Sequence, residues 1–433
     1  MKSKKVVILL VLVVLILSAA ISLTVIYNNV GAESVPDVRV SVLGATIEPV
    51  RYEWNTAVFG GLLHKPFNAY NINTPVKLGV LGFKYIDKSF EIPYGFDAKF
   101  RINSVPETIP TYTYMEQWYE RLRTILDYPG DHSVSITLNK SSDSSEIDLG
   151  YGSFHFSVYF TIPETEIFTS RATLQQGEVF AIRLENVPSQ VRPTATTTLG
   201  MSIFAPTSEG EWFVAIPVGN TRRPGTYTVY VTAGDFSWEK EVTVTTYDFQ
   251  TQNLIIDTTN PVISQANSPA AFQQFRDRIP PLFSIYDDEI HWRGAFLRPV
   301  EGGRISTPFG AIRFTNSNWA APRHHWGIDI AAPTGTPVIA TNYGRVVLAE
   351  YLYNTGYTIV IEHGGGLKSL HYHLHTFYVE YNEMVQRGAL IGTVGSTGFS
   401  TGPHLHFEFR IGDQAVNPLM LIEETAPLYS VSY

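Results

Sequence analysis

Alternation of apolar and polar residues with a period of two recurs along most of this 433-residue chain. It is clear in Val38 to Val42, in Phe154 to Phe160 and in Tyr227 to Val231. Such alternation is typical of half-buried β-strands. The sequence therefore predicts a mainly β protein in which turn residues separate short strands.

Changes in this pattern divide the chain into domains. Several short strands in residues 166–250 predict an immunoglobulin-like β-sandwich, and the preceding β-rich region is a second sandwich candidate of unknown type. The predicted segments are 1–30, an apolar segment; 31–165, the β-rich domain; 166–250, the sandwich; 251–290, a helical linker; 291–425, a glycine-turned all-β domain; and 426–433, a C-terminal tail.

Two helices interrupt the predicted strands. Met115, Trp118, Leu122 and Ile125 fall at helical spacing within the β-rich domain. In the linker, Ser268 is a candidate N-cap and is followed by Pro269 at the first helical position. Phe272, Phe275 and Ile279 then share one face, and Pro280-Pro281 ends this helix.

The N-terminus carries Lys2, Lys4 and Lys5 ahead of an uncharged apolar run from Val6 to about Ile26. About 20 apolar residues span a bilayer as a helix, and flanking lysines favour the cytoplasmic side. We therefore expect a transmembrane anchor with the residues after about 30 outside the cytoplasm. The alternative is a cleaved signal peptide, for which Val30-Gly31-Ala32 offers small residues at a cleavage site. Both interpretations predict export.

Composition narrows the possible partners and ligands. The net charge of -9 argues against nucleic acid as a partner, because such binders normally present a basic surface. The chain has no cysteine, so any metal site must use nitrogen and oxygen ligands.

Histidine is concentrated in the last third of the chain, where nine of the twelve lie. Three short segments carry most of them: 324–330, 371–375 and 404–409. If these segments are strands, alternation places His325 with Asp329 on one face, and likewise His371 with His373 and His375, and His404 with His406. The intervening residues, including Trp326, Tyr372 and Leu374, would lie on the opposite face, and Trp326 would be a core residue.

A catalytic zinc ion takes three protein ligands of the His, Asp or Glu type and keeps one position open for water. The three segments supply such a set with histidines to spare. A single histidine is more often a structural residue, but three such segments within 85 residues predict a metal site. Spacing alone leaves open which of His404 and His406 is the ligand.

At these residues the chain resembles the lysostaphin/LytM-type zinc endopeptidases, family 23 of the metallopeptidases, over roughly 296–420. The resemblance rests on Ile305 to Arg313, His325 to Asp329, Ala332 to Val338, His373-Leu374 and Gly395 to Glu408. The β-sandwich also resembles a module often found ahead of such domains. The expected fold is thus an N-terminal helix, one or two β-sandwiches and a C-terminal LytM-type domain.

The resemblance assigns roles that spacing leaves open. It implies that His325, Asp329 and His406 bind one Zn²⁺ ion, and that His373 and His404 are catalytic. His371 stands where a tyrosine is common in the family, and its role stays open. The implied function is a zinc metalloendopeptidase acting on peptidoglycan stems or cross-bridges in the bacterial cell envelope. The alternative is a wall-binding regulator of another hydrolase without activity of its own.

Overall fold

The computed structural model describes residues 2–42, 45–80, 92–102, 128–142, 150–188, 190–318, 320 and 322–423. Contacts within the chain divide it into two compact units, Met1–Glu164 and Thr165–Tyr433. Strands dominate both units, which confirms the mainly β fold class. The helix expected around Met115 to Ile125 and the tail at 426–433 lie outside the described residues.

The first unit begins with helix α1, Lys2–Asn29. Within it, Val7–Asn29 is long and apolar enough to cross a membrane, a property that anchors and signal sequences share. Lys65 donates hydrogen bonds to the carbonyl oxygens of Asn28 and Val30 at 3.1 and 2.7 Å, as cations do at helix C-termini. The strands that follow are β1 Val40–Val42, β2 Ala45–Ile47, β3 Arg51–Val58, β4 Leu63–Tyr70, β5 Val76–Val80, β6 Asp97–Ile102, β7 Gly130–Lys140 and β8 Gly150–Ile162.

Strands β3 to β8 form one six-stranded sheet with the order β4-β3-β8-β7-β6, and β5 pairs with β8. Its apolar face buries alternate residues of each strand, such as Phe154, Phe156 and Val158. This is the expected consequence of period-two alternation.

The second unit opens with two four-stranded sheets, which share a core that includes Phe180, Ile182, Val229 and Val242. Two sheets packed on one core form a β-sandwich. The strands are β9 Glu166–Thr169, β10 Thr173–Gln175, β11 Val179–Glu185, β12 Thr194–Thr197, β13 Ala205–Pro206, β14 Trp212–Pro217, β15 Gly225–Ala233 and β16 Phe236–Thr245. One sheet has the order β10-β16-β15-β12 and the other β13-β14-β11-β9.

The segment after the sandwich is only partly helical, which corrects the expected helical linker. It starts with a strand, β17 Thr251–Leu254, that pairs in parallel with β19, Ile312–Thr315. Two helices follow, α2 Pro261–Ala266 and α3 Pro269–Arg278. The Ser268 side chain accepts a hydrogen bond from the Ala271 amide, which confirms the predicted N-cap.

The C-terminal part is built on a ten-stranded sheet. The remaining elements are β18 Arg304–Thr307, β20 Arg323–His324, β21 Ile328–Ala331, β22 Pro337–Ile339, β23 Gly344–Leu352, β24 Gly356–Glu362, β25 Leu367–Phe377, β26 Met384–Val385, β27 Leu390–Val394, β28 His404–Ile411, β29 Gln414–Val416 and α4 Pro418–Ile422. The main path of the sheet is β18-β21-β28-β25-β24-β23-β26. Its apolar core is continuous with Val179, Ala181 and Phe213 of the sandwich. The ring of Phe213 packs edge-on against that of Trp292, with ring centroids 5.6 Å apart.

A buried ion pair joins β24 to β25. Lys368 and Glu362 are 0% and 1% exposed, and their charged atoms lie 2.5 Å apart. Burial raises the pKa of the Glu362 carboxyl, and Lys368 opposes this rise. Glu362 also accepts hydrogen bonds from the amides of Gly364 and Gly366, while Lys368 donates to the Ile285 carbonyl. The pair thereby connects the triple-glycine turn to the segment before the sheet.

Replacing Lys368 by Met should lower the free energy of unfolding by about 3–5 kcal/mol, because Glu362 would stay buried without its cation. Urea denaturation followed by tryptophan fluorescence measures this change. The double variant Lys368→Met/Glu362→Gln should recover much of the loss, whereas Lys240→Met, at an exposed strand position, should change little. An unaltered midpoint for Lys368→Met would contradict a stabilising role of the pair.

Candidate metal centre

Three adjacent strands of the central sheet bring the histidine segments together. In the antiparallel register, Asp329 of β21 lies opposite His406 of β28, and His406 lies opposite Tyr372 of β25. Directly opposed residues have Cβ atoms about 4.5–5.5 Å apart, so side chains on this face can meet. Sequence segments more than 70 residues apart thereby supply one site.

Gly327 permits this approach. A Cβ atom at this position would lie 2.2 Å from the carbonyl oxygen of Phe407, which is backbone and has little freedom to move. Glycine therefore lets the chain pass close to β28 between His325 and Asp329.

His325, Asp329 and His406 form a compact, buried cluster. The distances are 2.9 Å from His325 Nε2 to His406 Nδ1, 3.0 Å from His325 Nε2 to Asp329 Oδ1, and 2.9 Å from His406 Nδ1 to Asp329 Oδ1. The three residues are between 3% and 8% exposed. Each contributes one atom of the kind that binds metal ions.

Hydrogen bonds on the far side of each ring fix which nitrogen faces the cluster. His325 Nδ1 lies 2.9 Å from the Pro308 carbonyl oxygen, and His406 Nε2 lies 3.0 Å from Glu408 Oε1. These oxygens are acceptors, so His325 Nδ1 and His406 Nε2 donate, and in the neutral rings the lone pairs of His325 Nε2 and His406 Nδ1 face each other.

Two lone pairs and a carboxylate oxygen about 3 Å apart repel one another unless a cation or a proton lies between them. Ligands bound tetrahedrally at about 2.0–2.1 Å are roughly 3.3 Å apart, which is close to the spacing here. Hydrogen bonds that orient the opposite ring nitrogens are also typical of metal-binding histidines. The residues therefore fit a metal ion.

Two polar neighbours outside the cluster, Arg313 and Gln252, hold Asp329 in place. Arg313 donates to Asp329 Oδ2, which leaves Oδ1 for the cluster, and Gln252 of β17 accepts a hydrogen bond from Arg313 at 3.2 Å. Burial opposes ionisation of Asp329, but His325 and His406 outweigh it and hold the pKa of this carboxyl well below its ordinary value.

Glu408 has a corresponding role beside His406. Its Oε2 accepts a hydrogen bond from Arg410 at 2.6 Å. Burial would raise the pKa of Glu408, but Arg410 and His406 lower it to about 2. Burial would lower the pKa of His406, but its bonds to Asp329 and Glu408 raise it to about 9, so a metal ion would bind Nδ1 of this ring by displacing a proton. The carboxylates are therefore ionised and make the cluster favourable for a cation.

His373 and His404 lie beside the cluster, with ring centroids 4.9 Å apart. His373 Nδ1 donates to the Thr397 carbonyl, and His404 Nδ1 donates to the Gly402 carbonyl, each at 2.8 Å. Burial is the largest influence on both rings and lowers their pKa values, in His373 with the help of His404 and His406. The lowered pKa values favour neutral rings, and since Nδ1 donates in each, Nε2 is the nitrogen without a proton. The Nε2 atom of His404 lies 3.8 Å from Asp329 Oδ1.

The expected faces of two segments need correction. Trp326 is 39% exposed and lies 5.5 Å from the Arg410 guanidinium, so it is not a core residue. Residues 371, 373 and 375 do not share a face either. His373 has a φ of 64°, and the pairing of β25 is irregular around it. This left-handed residue breaks the alternation.

As a result, Tyr372 is on the metal-binding face, where its ring stacks on His406 at 5.2 Å. His371 is fully buried on the other side, against Phe407, and His375 is exposed. Burial lowers the pKa of His371 to about 3, so this ring is neutral. The alternation predicted for β28 is confirmed, since Leu405, Phe407 and Phe409 are buried in the core.

Sequence reasoning did not assign Glu408, Arg313 or Arg410. Glu408 could have been found, because the alternation that pairs His404 with His406 also places residue 408 on that face. Arg313 offered no signal in spacing, since its contact with Asp329 depends on how β19 lies beside the site.

The three strands thus hold two histidines and one aspartate in a cluster that could bind a metal ion. Residues 323–418 match the model of Peptidase family M23, and we call this part of the chain the M23 domain. The match confirms the resemblance on which the site assignments rest.

Several named relatives also match part of the chain. The DD-carboxypeptidase/endopeptidase Mpg of Neisseria meningitidis is 42% identical over 139 residues, which are 31% of this chain and 31% of the relative. Peptidoglycan DD-endopeptidase ShyC of Vibrio cholerae is 37% identical over 125 residues, 29% of each chain. The chain thus spans about a third of the length of these relatives.

Among solved structures, the catalytic domain of lysostaphin from Staphylococcus simulans is 29% identical. The alignment covers 28% of this chain and 92% of that domain, with a TM-score of 0.26.

Glu408→Gln should weaken metal binding about 10–100-fold, because the His406 ring loses the carboxylate that orients it and raises its basicity. Competition with a chromogenic chelator measures the affinity. The matched control is Glu350→Gln, which removes a carboxylate of β23 from an ion pair with Arg278 of α3. This variant should bind the metal ion as the wild type does. Equal affinities for all three proteins would show that Glu408 does not support the site.

Proposed function

We propose that this protein is a zinc metalloendopeptidase that hydrolyses peptide bonds in the stems or cross-bridges of peptidoglycan. The observation that carries the proposal is the buried set of His325, Asp329 and His406 with two neutral histidines beside it. The names of the M23 relatives support the substrate class, since they include peptidoglycan DD-endopeptidases.

Zinc is the metal that best suits this ligand set. Two imidazole nitrogens and one carboxylate oxygen make up the three-ligand arrangement of catalytic zinc sites, in which a fourth position stays open. Hard cations such as Mg²⁺ and Ca²⁺ prefer sets made of oxygen ligands. A bound zinc ion would supply Lewis acidity, lowering the pKa of a water molecule and polarising the scissile carbonyl group.

The chain itself supplies the proton transfers. Because His373 and His404 donate through Nδ1 to backbone carbonyls, the Nε2 atom of each can accept a proton. We assign removal of the water proton to one of these nitrogens. A protonated Nε2 then donates to the developing oxyanion or to the leaving amine.

Their low pKa values favour the neutral form before the reaction starts. A base that is already deprotonated needs no proton loss to begin, and an imidazolium formed in a buried site returns its proton readily. The backbone hydrogen bonds keep each ring in the tautomer that the reaction requires.

We further propose that helix α1 anchors the protein in the cytoplasmic membrane of a bacterium, with the residues after about 30 outside the cytoplasm. Release after signal cleavage is the alternative. The boundaries 31–165, 166–250, 251–290 and 291–425 remain our proposed domain organisation, with strand β17 now added to the linker. Peptidoglycan would lie on the same side of the membrane as the M23 domain.

Replacing His404 by Ala should lower peptidoglycan cleavage about 10²–10⁴-fold, because one of the two proton-transfer groups is lost. Mass spectrometry of cross-linked peptidoglycan after incubation detects the new amino and carboxyl ends and identifies the bond. The zinc content should stay at one ion per chain, since the three ligands are unchanged.

His375→Ala is the matched control, because His375 is an exposed histidine two residues from His373. It should cleave at the wild-type rate. If the zinc-loaded wild-type protein releases no new ends, the endopeptidase assignment is wrong.

A further inference from the structure

A recess of about 590 Å³ lies where the β-sandwich meets the M23 domain. The sandwich contributes the turn after β14, with Asn220, Arg222 and Arg223, and the M23 domain contributes Trp326 and Gln414. Small-molecule sites have volumes of about 300–1,000 Å³. The recess is therefore large enough for part of an extended peptide.

Hydrogen bonds between the two domains connect the walls of the recess. Gln414 accepts from the Gly219 amide at 3.0 Å and donates to the Leu199 carbonyl at 2.9 Å. Arg222 also donates to the Leu199 carbonyl. The recess is thus preformed, which lowers the entropy cost of binding.

A series of side-chain contacts connects the recess to the candidate metal centre. Trp326 directly follows the proposed ligand His325, and the guanidinium of Arg410 lies 5.5 Å from the Trp326 ring. Arg410 in turn contacts Glu408, the hydrogen-bond partner of His406. A substrate held over the metal could therefore extend a neighbouring part into the recess.

Charge favours an anion there. The lining includes two basic residues, Arg222 and Arg223, and a single acidic residue, Asp413. Arg223 is exposed, and no described residue forms an ion pair with its side chain. The two arginines outnumber the one carboxylate, so the lining is positively charged although the chain as a whole carries -9. Guanidinium groups bind carboxylates with two parallel hydrogen bonds.

A second observation points to a peptide. Asn220 is 2% exposed, and neither its amide nitrogen nor its amide oxygen has a hydrogen-bond partner within the described part of the chain. Buried amides are almost always bonded, and leaving one unpaired is costly. A peptide group offers both a donor and an acceptor, which an amide side chain needs, and Trp326 offers an apolar surface beside it.

We propose that this recess binds a carboxylate-bearing part of the substrate peptide, away from the bond that is cut, with Arg223 as the specificity-determining residue. This proposal rests on the proposed endopeptidase function and adds a requirement to it. Free carboxylates of peptide stems would be favoured over their amidated forms.

The test compares two cross-linked muropeptide dimers that differ only in whether the stem carboxylate is free or amidated. Arg223→Gln should raise KM for the free form about three- to tenfold and leave kcat unchanged, because binding is lost outside the reacting centre. KM for the amidated form should hardly change. Lys240→Gln removes a positive charge from an exposed strand of the same sandwich and should affect neither substrate.

Equal effects of Arg223→Gln on both dimers, or no effect on either, would overturn the proposal. If the wild-type protein cleaves neither dimer, the proposed endopeptidase function is wrong. The recess is then tested by a binding titration. The Trp326 indole resonance, assigned with Trp326→Phe, should shift on titration with the free form and not with the amidated form. No shift with either would exclude the recess as a peptide site.

Discussion

The pairing of β21 with β28 is the constraint on which the candidate metal centre depends. It sets Asp329 opposite His406, and it does so only because Gly327 lets the two strands approach without a side chain against the Phe407 carbonyl. On the other face of the same strands, Ile328, Ile330, Leu405 and Phe407 are buried in the core. A shift of one residue in this register would turn the apolar side chains out of the core and the cluster residues into it. Burial of the apolar face therefore fixes the geometry of the polar face.

Around that pairing, each residue of the cluster is oriented by a partner outside the cluster. The Pro308 carbonyl sets the tautomer of His325, and Glu408 sets that of His406. Arg313 binds Oδ2 of Asp329 and leaves Oδ1 for the cluster. These contacts reach outward to Arg410 and to Gln252 of the linker strand. The segment after the sandwich is therefore part of the support of the metal centre, which gives a physical reason for the two domains to occur together in one compact unit.

The junction of the sandwich and the M23 domain has the character of a domain core. Phe213 and Trp292 pack against each other, and Gln414 bridges the turn after β14 to the M23 sheet. Rigid contacts of this kind can hold a recess open beside a catalytic site, whereas a flexible linker could not. Substrate selection at this junction would let the sandwich contribute to catalysis through binding energy, without supplying a reacting group.

The sequence by itself determined the mainly β class, the N-terminal apolar helix, the capped helix after Ser268 and the histidine segments of the site, because periodicity and caps are local properties. Family resemblance separated His406 from His404, which spacing could not do. Only the tertiary structure decided the face of His371, the exposure of Trp326, the β17 strand and the contacts of Arg313. The reason is that one residue with a left-handed φ, His373, reverses the alternation of a strand, and that pairing between distant segments leaves no periodic signal in either of them.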